Sequence, residues 1–443
     1  MNIAIVSLQF EKTSTGGGGV HVEHVADQFL KLGQKVFIIA IHTKKTLLGV
    51  KLIDAEVPYS IETRGDLTVI RFLLDEGIEQ PYVGTKEEEL DRIMRFAQTA
   101  IKWIKEHDGE YDIVSLQGHH IIPGYIAKEL TGKVKAKTVS YLHALETTYV
   151  TKDGAFVGAY EGTKEILGRI RKWESMCKYA DIIIGNSPMV NEDFKEIIAE
   201  SGDDPEKYDS KIKLIVSGCN ERFIMTDDEV ERKLKTKPEV IKLVTFCRID
   251  PSKGIDYSIK GAKEAARLST CNKFCLTIAG IPSSDGYIEQ LKSEIKDVPE
   301  NLEVKFRLFS AISPLEEKKS VLDEDHMYIL PTLKEPFGMS LIEASARGNM
   351  AISADTNGPR YMFDIDSGID EGWGVVTPRG ILARITDDPP ENFAQNVGKA
   401  IAYAADNWPQ SVKRVLAFND KIRHAWTWES IGQQYLDLFR SIV

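Results

Sequence analysis

No apolar run in the 443-residue chain approaches the ~20 residues needed to span a bilayer; runs such as Val36–Ile41 stop far short. The opening stretch Met1–Val6 is apolar but soon meets charge, unlike a secretory signal, so a cytoplasmic protein is expected. Cysteine is scarce as well. The five residues, at 177, 219, 247, 271 and 275, are odd in number and form no C-x-x-C pair. Cys271 and Cys275 sit four apart, yet no nearby His or Cys completes a zinc set, so reduced thiols are expected. Positive charge is also in deficit. With 56 Lys+Arg against 67 Asp+Glu the net charge is −11, which argues against a nucleic-acid partner and a basic membrane-docking face. A local basic pocket for phosphate remains allowed, and no stable membrane anchor is expected.

What is present describes a globular α/β protein. Hydrophobic residues make up 42% and charged residues 28%, and a chain this long exceeds one ordinary core. Asn2–Ser7 and Val36–Ile41 read as buried strands around a helix at Val20–Leu32, with the glycine run Gly16–Gly19 at the first strand–helix turn. Strands at Leu67–Phe72, Ile113–Leu116, Thr138–Leu142, Asp181–Gly185 and Lys211–Val216 continue this series around helical segments. Asp227–Pro238, polar and charged, suits an inter-domain segment. A second series follows, with strands at Lys242–Phe246, Lys273–Ala279, Leu302–Phe306, Met327–Leu330 and Met350–Ala354, then terminal helices. The fold class is therefore α/β, with two Rossmann-like domains facing a cleft.

Chemistry concentrates at strand ends. Glu335-Pro-Phe-Gly-Met-Ser-Leu-Ile-Glu343 reads as strand, tight turn and helix, with the amides of Phe337, Gly338, Met339 and Ser340 between two carboxylates. Such a segment suits a ligand carrying phosphate and hydroxyls, although an acidic helix start is common for its own sake. Arg248-Ile-Asp-Pro-Ser-Lys253-Gly254 follows the first strand of the second series and concentrates cations that could neutralise a diphosphate without a metal. His119, His120 and His143 end strands of the first series. The glycine run partly satisfies a dinucleotide fingerprint, but Ala40-Ile41-His42 ends the second strand with no acid to grip a ribose. Asp364-Ile-Asp366 looks like a metal-binding pair but lies in a polar loop and reads as solvated surface.

Together these residues resemble the large retaining glycosyltransferase family four, of GT-B fold. The resemblance rests on Glu335-x7-Glu343 with Ala344-x-Ala346-x-Gly348 and Thr356-Asn-Gly-Pro359, and on Gly16-Gly17-x-Gly19-x-His21-Val22. It includes Arg248 with Lys253-Gly254, Ala180–Ser187, Ser217-Gly-Cys-Asn220-x-x-Phe223 and Trp426-Thr-Trp428-Glu429. The resemblance implies that Arg248 and Lys253 hold the donor diphosphate, Glu335 the donor sugar and Glu343 the nucleotide ribose. Gly17 would approach the diphosphate or acceptor, and His143 would lie beside the anomeric carbon. It implies retention with the leaving phosphate taking the acceptor proton, no protein nucleophile, no cofactor and no required metal. Gln117–Tyr125 and His143–Glu146 with Thr148-Tyr149 are most similar to sucrose-phosphate synthases and sucrose synthases. On that likeness Arg169 meets an acceptor phosphate, with Gly19, His119 and His120 alongside. Ser217-Gly-Cys-Asn220 and Ser115 depart from the family pattern, and Asn357–Pro378 carries an insertion.

The expected boundaries are residues 1–222 for an acceptor-binding domain, 223–418 for a nucleotide-sugar domain, and 419–443 for a C-terminal helix returning to the first. The expected function is a hexosyltransferase moving glucose from a nucleotide sugar such as UDP-glucose to a small sugar or sugar phosphate. Association into a homodimer is compatible with the sequence. The alternative is a nucleotide-sugar epimerase or NAD-dependent oxidoreductase on a similar scaffold.

Overall fold

The computed structural model describes residues 1–11, 17–42, 59–73, 85–145, 164–309, 315–385 and 390–443. They fall into two compact units. One comprises the described residues up to Gly218 together with Trp428–Val443, the other Cys219–Thr427. The sequence expectation sets these passages at 222 and 419. Among the described residues no helix is long and apolar enough to cross a membrane.

The first unit is built on β1 (Asn2–Val6), β2 (Lys35–His42), β3 (Tyr59–Arg64), β4 (Leu67–Leu73), β5 (Ile113–Gly118), β6 (Lys137–Leu142), β7 (Ile182–Gly185) and β8 (Ile212–Leu214). Their order is β3-β4-β2-β1-β5-β6-β7-β8, parallel throughout except where β3 pairs antiparallel with β4. Ile3, Ala4, Ile5 and Val6 are wholly buried, which is why a run with no polar alternation forms the central strand. The winding reverses between β1 and β5, so the ends of these strands mark the ligand-binding crevice of a doubly wound sheet. β3 is absent from the sequence expectation; its residues are mostly exposed and polar, and only pairing with β4 makes it a strand. Helix Trp428–Arg440 packs in this unit, with Gly432 against Gln28 and the Tyr435 and Phe439 rings 5.9 and 5.6 Å from Phe29.

The second unit holds β9 (Val240–Phe246), β10 (Lys273–Gly280), β11 (Leu302–Leu308), β12 (Met327–Leu330), β13 (Met350–Ala354), β14 (Ile369–Asp370), β15 (Gly374–Val376) and β16 (Ile381–Ala383). The order is β11-β10-β9-β12-β13-β16-β15-β14, parallel from β11 to β16 and antiparallel beyond. Winding reverses between β9 and β12, the strands that deliver Arg248 and Glu335. Both units are Rossmann-like, as expected. The inserted stretch after Asn357 forms a helix, Asn357–Phe363, and then extends the sheet edge through β14 and β15.

One expectation is corrected. Asp227–Pro238 is no linker: Asp227–Leu234 is a helix inside the second unit, closed by a capping box between Thr226 and Glu229. Val230 and Leu234 enter the core, and Lys233 donates to Leu322 O and Arg347 O, both at 2.8 Å. The Thr226-Asp-Asp-Glu229 signature was readable, but two buried apolar residues among eight left the charged face to dominate the pattern.

Candidate functional site

In the second unit the chain leaves β12 through Pro331–Gly338 and enters helix Met339–Ala346. Gly338 takes φ +111°, a conformation that side chains resist, and stands at the helix start with no side-chain cap. The Met339 and Ser340 amides open the helix and have no acceptor within it. Gly358 lets the next strand–helix turn close on this loop. Its N–H donates to Glu335 O at 2.9 Å, and a Cβ there would meet Phe337 O at 2.2 Å. Phe337 is itself buried, its ring 6.4 Å from that of Trp426.

The cationic turn comes to the same place from the neighbouring strand. Lys253 Nζ lies 2.9 Å from Glu335 Oε2, with the two side chains 27% and 12% exposed. Thr332 Oγ1 donates to Ser252 O at 2.9 Å, fastening the β9 and β12 loops together. Asp250 caps the Pro251–Lys253 turn by accepting from the Ser252 amide at 3.0 Å and from its hydroxyl. Burial would raise the Asp250 carboxyl, but the Ser252 hydroxyl, the Arg248 charge and the Ser252 amide hold it below the usual value. Arg248 is the open member, 63% exposed, with Nε 3.9 Å from Asp250 Oδ2. Thus Arg248, Lys253, Glu335 and the Phe337–Ser340 segment meet at one sheet end. Glu343 follows in the helix, and its carboxylate is paired with Lys318, a residue absent from the sequence expectation.

The first unit gathers the histidines. His143 ends β6, and its Nε2 lies 3.1 Å from Gln117 Oε1, which fixes Nε2–H as the donor. Burial, then the charges of His21 and His119, hold its pKa well below 6.5, so a neutral ring keeps Nδ1 as an acceptor. Gln117 in turn donates to Ser115 Oγ at 3.1 Å. His21, from the glycine-run motif, is fully buried between Ser217 Oγ at 3.0 Å and Tyr435 OH at 3.1 Å. Gly17 is exposed at the start of helix Gly17–Lys31, while Gly19 is buried in it; Gly16, Glu146, Thr148 and Tyr149 lie outside the described residues.

Helix Lys86–Glu106 brings a polar cluster beside His119, at the end of β5. Arg169 bonds Glu87 Oε2 at 2.6 Å and lies 5.4 Å from the Trp173 ring. Lys86, a second residue that sequence reasoning missed, pairs with Glu89 at 2.9 Å and acts electrostatically on His119. His119 is exposed to solvent. His120 lies deeper. It is 3% exposed, takes φ +30°, and its Nδ1 accepts from the Ile121 amide at 3.0 Å. Its imidazole caps the wide turn Ile121–Ile126 and lies 6.1 Å from the Trp173 ring. Asp364 and Asp366 behave as surface, Asp364 taking the Ser367 hydroxyl at 3.2 Å. Among the described residues no group of three His, Cys, Asp or Glu side chains is placed to hold a metal.

Comparison with known proteins bears on the same residues. Residues 85–434 match the profile of "Family 4 Glycosyltransferase in conflict systems". A D-inositol 3-phosphate glycosyltransferase of Corynebacterium urealyticum is 23% identical, over 100% of this chain and 96% of its own. Sucrose-phosphate synthase of Thermosynechococcus elongatus shares the fold at TM-score 0.70 and 16% identity, covering 100% and 98% of the two chains. Anabaena HepE in complex with UDP-glucose does so at TM-score 0.62 and 13% identity, each chain covered in full. A match spanning Arg248, Lys253, Glu335 and Glu343, on sheets wound as that fold requires, means that the chain belongs to family four of the glycosyltransferases, enzymes of sugar transfer.

Proposed function

We propose that the enzyme moves a hexose, glucose foremost, from a nucleoside-diphosphate sugar to a small phosphorylated polyol or sugar, retaining the anomeric configuration and needing no metal. The observation that carries this reading is the Lys253–Glu335 pair beside Arg248 at the reversal of the second sheet. A cation held against a carboxylate suits a ligand with two characters: Arg248 and Lys253 for a diphosphate, Glu335 for sugar hydroxyls. Lys253 is held in place by Glu335 before the bond breaks, Arg248 stands open beside it, and the two cations stabilise charge as it builds on the leaving diphosphate. No protein nucleophile is assigned; the leaving phosphate oxygen takes the acceptor proton. Neutral His143, with Nε2–H held by Gln117, offers Nδ1 to a sugar hydroxyl.

The acceptor reading is supported by the half-buried Arg169 beside Glu87 and by the exposed His119 near Lys86. The Corynebacterium relative, by its name, acts on inositol 3-phosphate, and Anabaena HepE binds UDP-glucose. The test is nucleotide release from UDP-glucose, ADP-glucose and GDP-mannose, each with inositol 3-phosphate, glucose 6-phosphate or fructose 6-phosphate. One donor is expected to turn over in an acceptor-dependent way. Absence of release in every combination, with no nucleotide binding by calorimetry, would remove the reading.

A further inference from the structure

Lys318 lies on helix Leu315–Glu324, and Glu343, its partner, on helix Met339–Ala346. The ammonium contacts the carboxylate and also sits 5.6 Å from the Phe223 ring and 5.7 Å from the Phe246 ring. Both rings are buried, and the pair is mostly enclosed, Lys318 being 28% and Glu343 15% exposed. A surface lysine ordinarily roams over many rotamers; one held by a carboxylate and two aromatic faces does not. Glu343 is held in turn. A carboxylate offers about four lone-pair sites. The lysine uses Oε2, and the remaining sites suit two adjacent hydroxyls.

We propose that Lys318 is a positioning residue for the nucleotide ribose: it pins Glu343 so that one carboxylate accepts from both hydroxyls of a 2′,3′-diol, and so sets a preference for ribonucleotides over 2′-deoxyribonucleotides. The inference rests on Glu343 being the ribose-binding carboxylate.

The experiment measures calorimetric affinities of UDP, ADP and GDP, and of their 2′-deoxy counterparts, for the wild-type chain and for Lys318→Met, Lys318→Arg and Glu343→Gln. Wild type is expected to favour the ribose form about tenfold or more, the effect of one charge-assisted hydrogen bond. Methionine keeps the stem between the two rings and removes the charge. Lys318→Met should bring the preference close to unity with little change for the deoxy form, and Lys318→Arg should restore part of it. A merely structural role would weaken both forms alike. If Lys318→Met retains the preference while Glu343→Gln loses it, the lysine has no such role and the ribose reading of Glu343 stands. If Glu343→Gln retains the preference, or wild type has none, the ribose reading itself falls. Should Lys318→Met fail to fold, the ratio measured on Lys318→Arg decides: an undiminished preference together with unchanged ribose-form affinity would overturn the pinning.

Discussion

Single side chains at this site work in pairs, and each pair makes its own prediction. Lys253→Ala strips the cation from the diphosphate position and leaves Glu335, 12% exposed, without its partner. Donor affinity is expected to fall about 10- to 100-fold by calorimetry, as for a lost charge-assisted contact. Arg169→Ala, on the other unit, should raise the KM for a phosphorylated acceptor about tenfold while leaving the KM for the donor unchanged. An unchanged acceptor KM would remove the phosphate from the acceptor and leave the transferase standing. Arg248, Lys253 and Glu335 were legible because turn residues beside a strand announce themselves locally. Lys318 was not. Leu315-Glu-Glu-Lys-Lys reads as a solvated helix start, and its partner lies 25 positions away.

At the scale of elements, the site depends on two loops that approach more closely than side chains permit. Gly358 abuts the Phe337 carbonyl, and its amide holds the Glu335 carbonyl. Gly358→Ala must push the two loops apart. We expect a loss of about 2 kcal/mol or more in denaturant unfolding, with donor affinity weakened although no ligand-facing side chain has changed. Unaltered stability would mean that the loops yield freely. Strands and helices with continuous apolar runs were legible from periodicity. β3, β14 and β15 were not, because pairing, not pattern, makes them strands. The helix Asp227–Leu234 shows the converse, a capped element hidden behind its own charge.

For the whole molecule, acid sensitivity follows from buried neutral histidines. Burial, aided by His24, lowers His21 from 6.5 to about 3, and burial lowers His326 to about 4; His120 and His143 are held well below 6.5. In the window between those values the unfolded chain binds protons that the native state refuses, so stability falls as pH drops below 6.5. From pH 6.5 to 5 each such histidine contributes up to about 2 kcal/mol of loss. Asp325, raised by burial to about 7, gains stability as pH falls and offsets about one of them. The net expectation is a drop of at least about 2 kcal/mol between pH 7 and pH 5 in denaturant titrations; equal stability at the two values would contradict it.

The sequence by itself determined the fold class, the two α/β series and the positions of the cationic turn and the Glu335–Glu343 helix, because hydrophobic period, glycine, proline and charge act over a few residues. The tertiary structure alone decided which charges meet. Lys253 with Glu335, Lys318 with Glu343, His143 with Gln117 and His21 with Ser217 and Tyr435 join residues from 25 to 414 positions apart. It also set His120 Nδ1 to accept from the Ile121 amide. Such partnerships depend on which strands the sheet brings side by side, and no local pattern along a chain encodes that order.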